Sequence, residues 1–200
     1  MSDEKRYHLS ARGLQDLLVR DLTELFQNAY FKTPFFLKPD EVPEWMKERE
    51  DVMRDINLHR MAAPTVFRQY LPIRSTHSPA PPSEDGEDED WQDEDPFPYL
   101  VVKLDGGGVE SATSMNTVDV VVLVGIFDDN PKNEGHIAVM QIIERIMFHF
   151  AERPVLGPFS YADRFDWELL ERDGFPYYYG ACGFSFYIPS PQNILWEELS

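Results

Sequence analysis

The sequence has one cysteine, Cys182, in 200 residues. That excludes an internal disulfide framework and any zinc site built from several thiolates, and it fits synthesis in a reducing compartment. Bases are scarce: 18 Lys and Arg stand against 36 Asp and Glu, a formal net charge of −18. Such a surface repels polyanions, which argues against general electrostatic binding to DNA, RNA or anionic lipid. Long apolar runs are missing as well. The longest, 118–127, contains Asp119 and is far shorter than the ~20 residues of a membrane helix. The opening MSDEKRYHLS carries charge with no apolar segment behind it, so it does not read as a secretory signal. What the chain does have is 42% hydrophobic and 14% aromatic residues, enough to pack one domain over 1–200.

The acidic surplus is concentrated. Glu84, Asp85, Glu87, Asp88, Glu89, Asp90, Asp93, Glu94 and Asp95 put nine carboxylates and no base into twelve residues, half of the net charge. Just before them lies STHSPAPPS, rich in Pro and Ser. Residues 75–95 cannot bury enough apolar surface to offset ordering entropy, so they are expected to form a disordered acidic insertion. Strand-like segments flank it: 65–73 (TVFRQYLPI) alternates in character, and 97–104 (FPYLVVKL) resumes apolar residues at once. The insertion therefore reads as a loop inside one domain.

Over 10–30, Leu14, Leu17, Leu18, Leu22, Leu25 and Phe26 make one helical stripe opposite Arg12, Asp16, Arg20 and Glu24. A second, more charged helix is expected over about 43–60, opened by Pro43. DGGG at 105–108 reads as a hairpin turn, and 117–127 (TVDVVVLVGIF) as a central strand covered on both faces. Asp128, Asp129, Asn130 and Pro131 stop that strand. A helix follows, with Ile137, Met140, Ile143, Met147 and Phe150 on its stripe and an end before Pro154. Segments 159–169 and 177–188 read as a hairpin, and 189–200 as a C-terminal arm with an apolar handle at Ile194, Leu195 and Trp196. The sum is an α+β fold. A mainly antiparallel sheet of about five strands is packed by an N-terminal helix and one long helix after the central strand.

Motifs for chemistry are thin. DGGG lacks the Gly-Lys-Ser/Thr ending of a phosphate loop and precedes a strand. Asp128, Asn130 and Lys132 would put a cation at the third ligand of a calcium loop, so Asp128, Asp129, Asn130 and Glu134 read as helix capping instead. His136 and His149 are thirteen residues apart and read as surface histidines. Cys182, in GACG, has no base or helix start nearby to activate it and reads as a small core residue. The aromatic residues of 175–186 lack the cationic groove of a base-stacking platform and read as core and interface packing. Pro98 and Pro176 open strands at positions that need no amide donor. No catalytic, cofactor-binding or metal residue is assigned; the chain does not read as an enzyme.

The words VVVLVGIFDDNPKNEGHIAVMQIIERIMFHF, ERPVLGPFSYADRFDWEL and FPYYYGACGFSFYIPSP resemble the C-terminal half of the tail-terminator, or tail-completion, proteins of tailed bacteriophages and prophages, over residues 97–191. The resemblance implies Val120 to Phe127 as the central strand with Asp128 and Asp129 at its exit, Trp167 and Glu168 on the first strand of the later hairpin, and Pro176 to Gly180 at the second. It fits 66–72 with FPYLVVKL as a first hairpin. It further implies a structural virion protein: a ring, usually a hexamer, that ends the tail tube in the neck and offers the joining surface for the head. Its partners would be copies of itself, the tail-tube protein and head-tail connector proteins. DNA would pass without specific binding, with no cofactor and no membrane, and the ring would assemble in the host cytoplasm. A repelling acidic wall suits such a passage. The helix at 43–60 and the acidic loop do not map onto the family's compact core. Ring contacts need exposed edges and aromatic anchors, for which Phe97, Tyr99, Trp167, Tyr177, Tyr179 and Trp196 are the candidates. The acidic loop is the candidate lumen or partner segment, its plainer role being solubility. Two other readings stand beside this one: another neck or tail-tube ring component, and an acidic nucleic-acid mimic that occupies a basic site on a host enzyme.

Overall fold

The first element follows from its stripe. In the computed structural model, which describes residues 9–37, 58–72, 96–108, 116–170 and 174–189, the helix α1 runs Ala11–Phe26. The Ser10 hydroxyl caps it by accepting the Gly13 amide. Leu14, Leu18, Leu22 and Phe26 are fully buried along one side, as the three- and four-residue spacing requires.

Eight strands follow in chain order: β1 (Phe31–Phe36), β2 (His59–Ala62), β3 (Thr65–Arg68), β4 (Tyr99–Gly108), β5 (Asn116–Phe127), β6 (Val155–Leu156), β7 (Phe159–Leu169) and β8 (Tyr177–Ile188). The second helix, α2 (Gly135–Glu152), lies between β5 and β6. β1 and β2 form a small antiparallel sheet. The other six form one sheet in the order β3-β4-β5-β8-β7-β6. The fold is α+β with a mainly antiparallel sheet, and six strands rather than about five make up the main sheet.

β5 alternates because both helices lie on one side. Val118, Val120, Val122, Val124 and Ile126 bury against α1 and α2 together with Leu100, Val102, Cys182, Phe184 and Phe186. The opposite face is only partly covered: Asp119 is exposed and Val121 and Leu123 are half-buried, so β5 is not doubly covered along its length. α2 also settles its face differently from the expected stripe. Val139, Ile142, Ile143, Ile146 and Phe150 are buried, whereas Ile137 is exposed and Met140 and Met147 are half-buried. This helix has more apolar residues than one face can take. Packing against both α1 and the sheet chose the phase.

Three further expectations are corrected. β3 pairs with β4 in parallel, Thr65 beside Tyr99 through Arg68 beside Val102, so the two are not a hairpin. Parallel neighbours need a long return connection, which residues 69–98 supply. β3 also stops at Arg68 rather than 73, because Gln69 takes a left-handed conformation with φ 60°. DGGG is no turn: Gly106, Gly107 and Gly108 pair with Asp119, Val118 and Thr117 after a bulge, extending β4 along β5. Of the helix expected over 43–60, only 58–60 fall among the described residues, and there His59 and Arg60 open a strand. The rest of it, the acidic segment 75–95 and the arm beyond Pro189 lie outside the described residues. Pro98 and Pro176 do sit immediately before β4 and β8, their carbonyls accepting from Thr65 and Asp128. Among the described residues no helix is long and apolar enough to cross a membrane.

Candidate functional site

Four of the proposed interface aromatics come together on the sheet face away from the helices. Tyr99, Gly125 and Tyr179 are aligned across β4, β5 and β8. Gly125 is where the ring of Tyr99 lies down: a Cβ there would meet Tyr99 ring carbons at 2.4 Å. Phe97 contacts Tyr99, Tyr177 and Tyr179 at ring centroid distances of 5.0, 4.9 and 5.9 Å, and Phe127 meets Tyr177 at 5.5 Å. Tilted and edge-to-face pairs of this kind add to the apolar burial. Phe67 and Leu71, from β3 and the chain after it, close the cluster with Val101 and Leu123. Phe97 and Tyr99 are buried in it, and Tyr177 and Tyr179 are half-buried. Trp167 lies elsewhere, on β7, and is 53% exposed. Trp196 and the nine carboxylates from Glu84 to Asp95 fall outside the described residues.

The end of β5 carries a polar clamp that the sequence did not announce. Lys32 of β1 reaches Asp128 at 2.9 Å and Asp129 at 3.1 Å. His59 of β2, its side chain only 4% exposed, puts Nε2 2.8 Å from Asp129 and Nδ1 2.8 Å from the Thr33 carbonyl. Both ring nitrogens lie within hydrogen-bond distance of an oxygen. Burial works against charge on Asp129, but the hydrogen bonds and charges of His59 and Lys32 outweigh it and hold the carboxyl below its usual value. Burial likewise tends to lower Lys32, and its bonds to Asp128 and Asp129 raise it above the usual lysine value. The His59 ring packs between Phe36 and Phe127. Capping is therefore not the role of Asp128 and Asp129. They tie the small sheet to the exit of β5, and Glu134 starts α2 without a side-chain cap. Asp128 also accepts the Asn130 amide, and Asn133 takes a hydrogen bond from the Tyr178 hydroxyl.

Other candidates resolve into structure. His149 is no surface histidine: it bonds Asp21 at 2.7 Å, joining α2 to α1, while His136 is exposed. Arg145 donates to the Leu25 carbonyl and lies over the Phe26 ring. Asp21, Leu25, Arg145, Phe148 and His149 line an open groove of about 710 Å³ between the helices. Cys182 is buried and its thiol is pushed up to about 12 by that burial, so it is inert. Among the described residues no group of three or more His, Cys, Asp or Glu is arranged to hold a metal ion.

Some of the exposed large apolar side chains stand at the rims of the main sheet, while Tyr30, Phe36 and Met61 lie on or beside the small sheet and Ile137 and Phe148 on α2. Tyr70, just past β3, is 75% exposed at one edge; Val155 of β6, 65% exposed, and Trp167 of β7 are at the other. Trp167 was legible as an aromatic on an expected hairpin. Tyr70 was not, because its exposure depends on β3 being the outermost strand. No family model matches the chain, and no curated protein is similar enough to it to count as a match.

Proposed function

We propose that the chain is a structural virion protein that assembles into a ring of the tail-terminator kind. The ring ends a tail tube and presents a surface for joining the head. One observation carries the reading. Among the described residues the main sheet has two different open rims, each with a large exposed aromatic side chain and placed at opposite ends of the strand order. A subunit whose two sticky rims differ binds its neighbours head to tail, and head-to-tail contacts close into a ring when the rotation allows. Exposed apolar side chains on open strand edges are otherwise an aggregation hazard, which a closed ring removes. The −18 charge per copy supports the same reading, since a lumen walled with carboxylates gives phosphates no counter-ion to bind. Another ring of the neck or tail tube shares this geometry and differs in its partners.

The test is mass by light scattering over a wide concentration range, with negative-stain imaging of the same sample. A closed annulus of about six copies is the expected result. A chain that stays monomeric up to the highest concentration overturns the ring reading, and a pull-down of a basic host enzyme by that monomer would favour the mimic.

A further inference from the structure

We propose that neighbouring copies join edge to edge, the outer rim of β7 in one copy laid along β3 of the next, so that one sheet continues around the ring. This rests on the ring reading above and names its contact.

Among the described residues the backbone of both rims is open. β6 pairs only with Phe159 and Ser160, and the Pro154 carbonyl takes the Tyr161 amide. Among the described residues nothing pairs with the outer side of β7 from 162 to 169. The Leu170 amide donates to the Tyr179 carbonyl of β8. In an antiparallel ladder the alternation then turns the main-chain groups of Phe165, Trp167 and Leu169 outward. On β3, the amides of Thr65 and Gln69 donate to the Pro98 and Val102 carbonyls. The parallel ladder then turns the main-chain groups of Val66 and Arg68 outward. Each rim offers donors and acceptors that a second strand satisfies.

Charge decides which rim meets which. β7 carries Asp163, Asp166 and Glu168 against one base, Arg164, which is held by Asp166 at 2.8 Å. β3 carries Arg68 and no acid, Arg68 leaning on Asp16 of α1. A β7–β7 pairing would set carboxylates against carboxylates, and like charges across strands are destabilising, whereas a β3–β3 pairing would bring no carboxylate of the strand to Arg68. Only β7 against β3 matches signs. That pairing is also the one that is not self-complementary, as a ring contact must be.

The experiment uses the full chain with Thr65→Cys and Trp167→Cys, singly and together, under mild oxidation. Within one copy the two positions are four strand spacings apart, roughly 19 Å. A disulfide needs Cα atoms within about 7 Å, so any bond between them joins two copies. Cys182 stays out of the reaction, being buried. The double variant should give a ladder of covalent multimers on a non-reducing gel, and each single variant none. Covalent dimers from either single variant would mean a self-complementary contact and overturn the proposal. So would the absence of a ladder from a double variant that still forms native-sized rings when reduced. The ring reading survives that second result and fails only if the native chain is monomeric, which overturns both. Should the cysteine variants fold poorly, the charge exchange replaces them: Arg68→Glu should abolish rings and Arg68→Glu with Glu168→Arg should restore them, and no restoration overturns the proposal.

Discussion

Gly125 is the position at which a single methyl group decides the aromatic cluster. The Tyr99 ring occupies the space that a Cβ would need, and Tyr99 is in turn packed by Phe97. Gly125→Ala should therefore push Tyr99 out of its seat, with an expected loss of about 1–3 kcal/mol in urea unfolding. The same substitution made in a Tyr99→Ala background should lose much less, because the clash is gone. Equal losses in the two backgrounds would mean that the strain lies in the backbone and not in the ring. Leu18 gives the contrasting case on the helix face. It is fully buried, and Leu18→Ala should cost about 2–5 kcal/mol, through both lost burial and a cavity. Leu18 was legible from its place in the stripe, whereas the demand on Gly125 was not. That demand comes from the pairing of β4, β5 and β8, residues far apart in the chain.

At the scale of elements, what sequence pattern carries is local periodicity. α1, β5 and the β7–β8 hairpin are written in runs of side chains and were read from them. β1 was missed because FKTPFF contains Pro34 and one charged residue, both poor signs of a strand. The proline is tolerated because the ladder with β2 slips between Lys32 and Phe36, where no amide is required. The parallel β3–β4 pair and the extension of β4 through DGGG are non-local choices with no periodic signature. The clamp that docks β1–β2 makes its own prediction. Asp129 is held low, so its contribution is full at neutral pH and is lost as pH falls below the ordinary carboxyl value of 3.8. Lys32 is held high, so its contribution is full below the ordinary 10.5 and is lost as pH rises beyond that value. Amide protection factors in β1 and β2, which divide out the intrinsic pH dependence of exchange, should accordingly hold in between and fall at both extremes ahead of those of the main sheet. Protection that falls in β1 and β2 only together with β5 would show that the small sheet has no separate hold. Asp129→Asn should weaken both its bonds and bring the fall into the neutral range.

For the molecule as a whole, the acidic segment sets a question that the fold makes easier to ask. Deleting 75–95 would be a poor experiment, because β3 and β4 are parallel and the chain between them must travel back along the sheet. The better variant keeps the length and replaces Glu84, Asp85, Glu87, Asp88, Glu89, Asp90, Asp93, Glu94 and Asp95 by Gln and Asn, halving the net charge from −18 to −9. In a ring of like-charged copies the repulsion between neighbours grows with the square of that charge, and it is screened beyond about 10 Å at 0.1 M salt. The neutralised chain should therefore still form rings, at lower protein concentration than the native one, with the gap between the two widest at low salt. A sedimentation series in 20 mM and 500 mM salt reads this directly. Loss of assembly on neutralisation would make the carboxylates part of the contact itself, which the β7–β3 pairing does not require. Unchanged assembly at both salt concentrations would put the segment far from every neighbouring copy. A mimic of nucleic acid would respond in the opposite sense, losing its basic partner altogether, because its affinity would reside in those nine charges rather than in the two rims of the sheet.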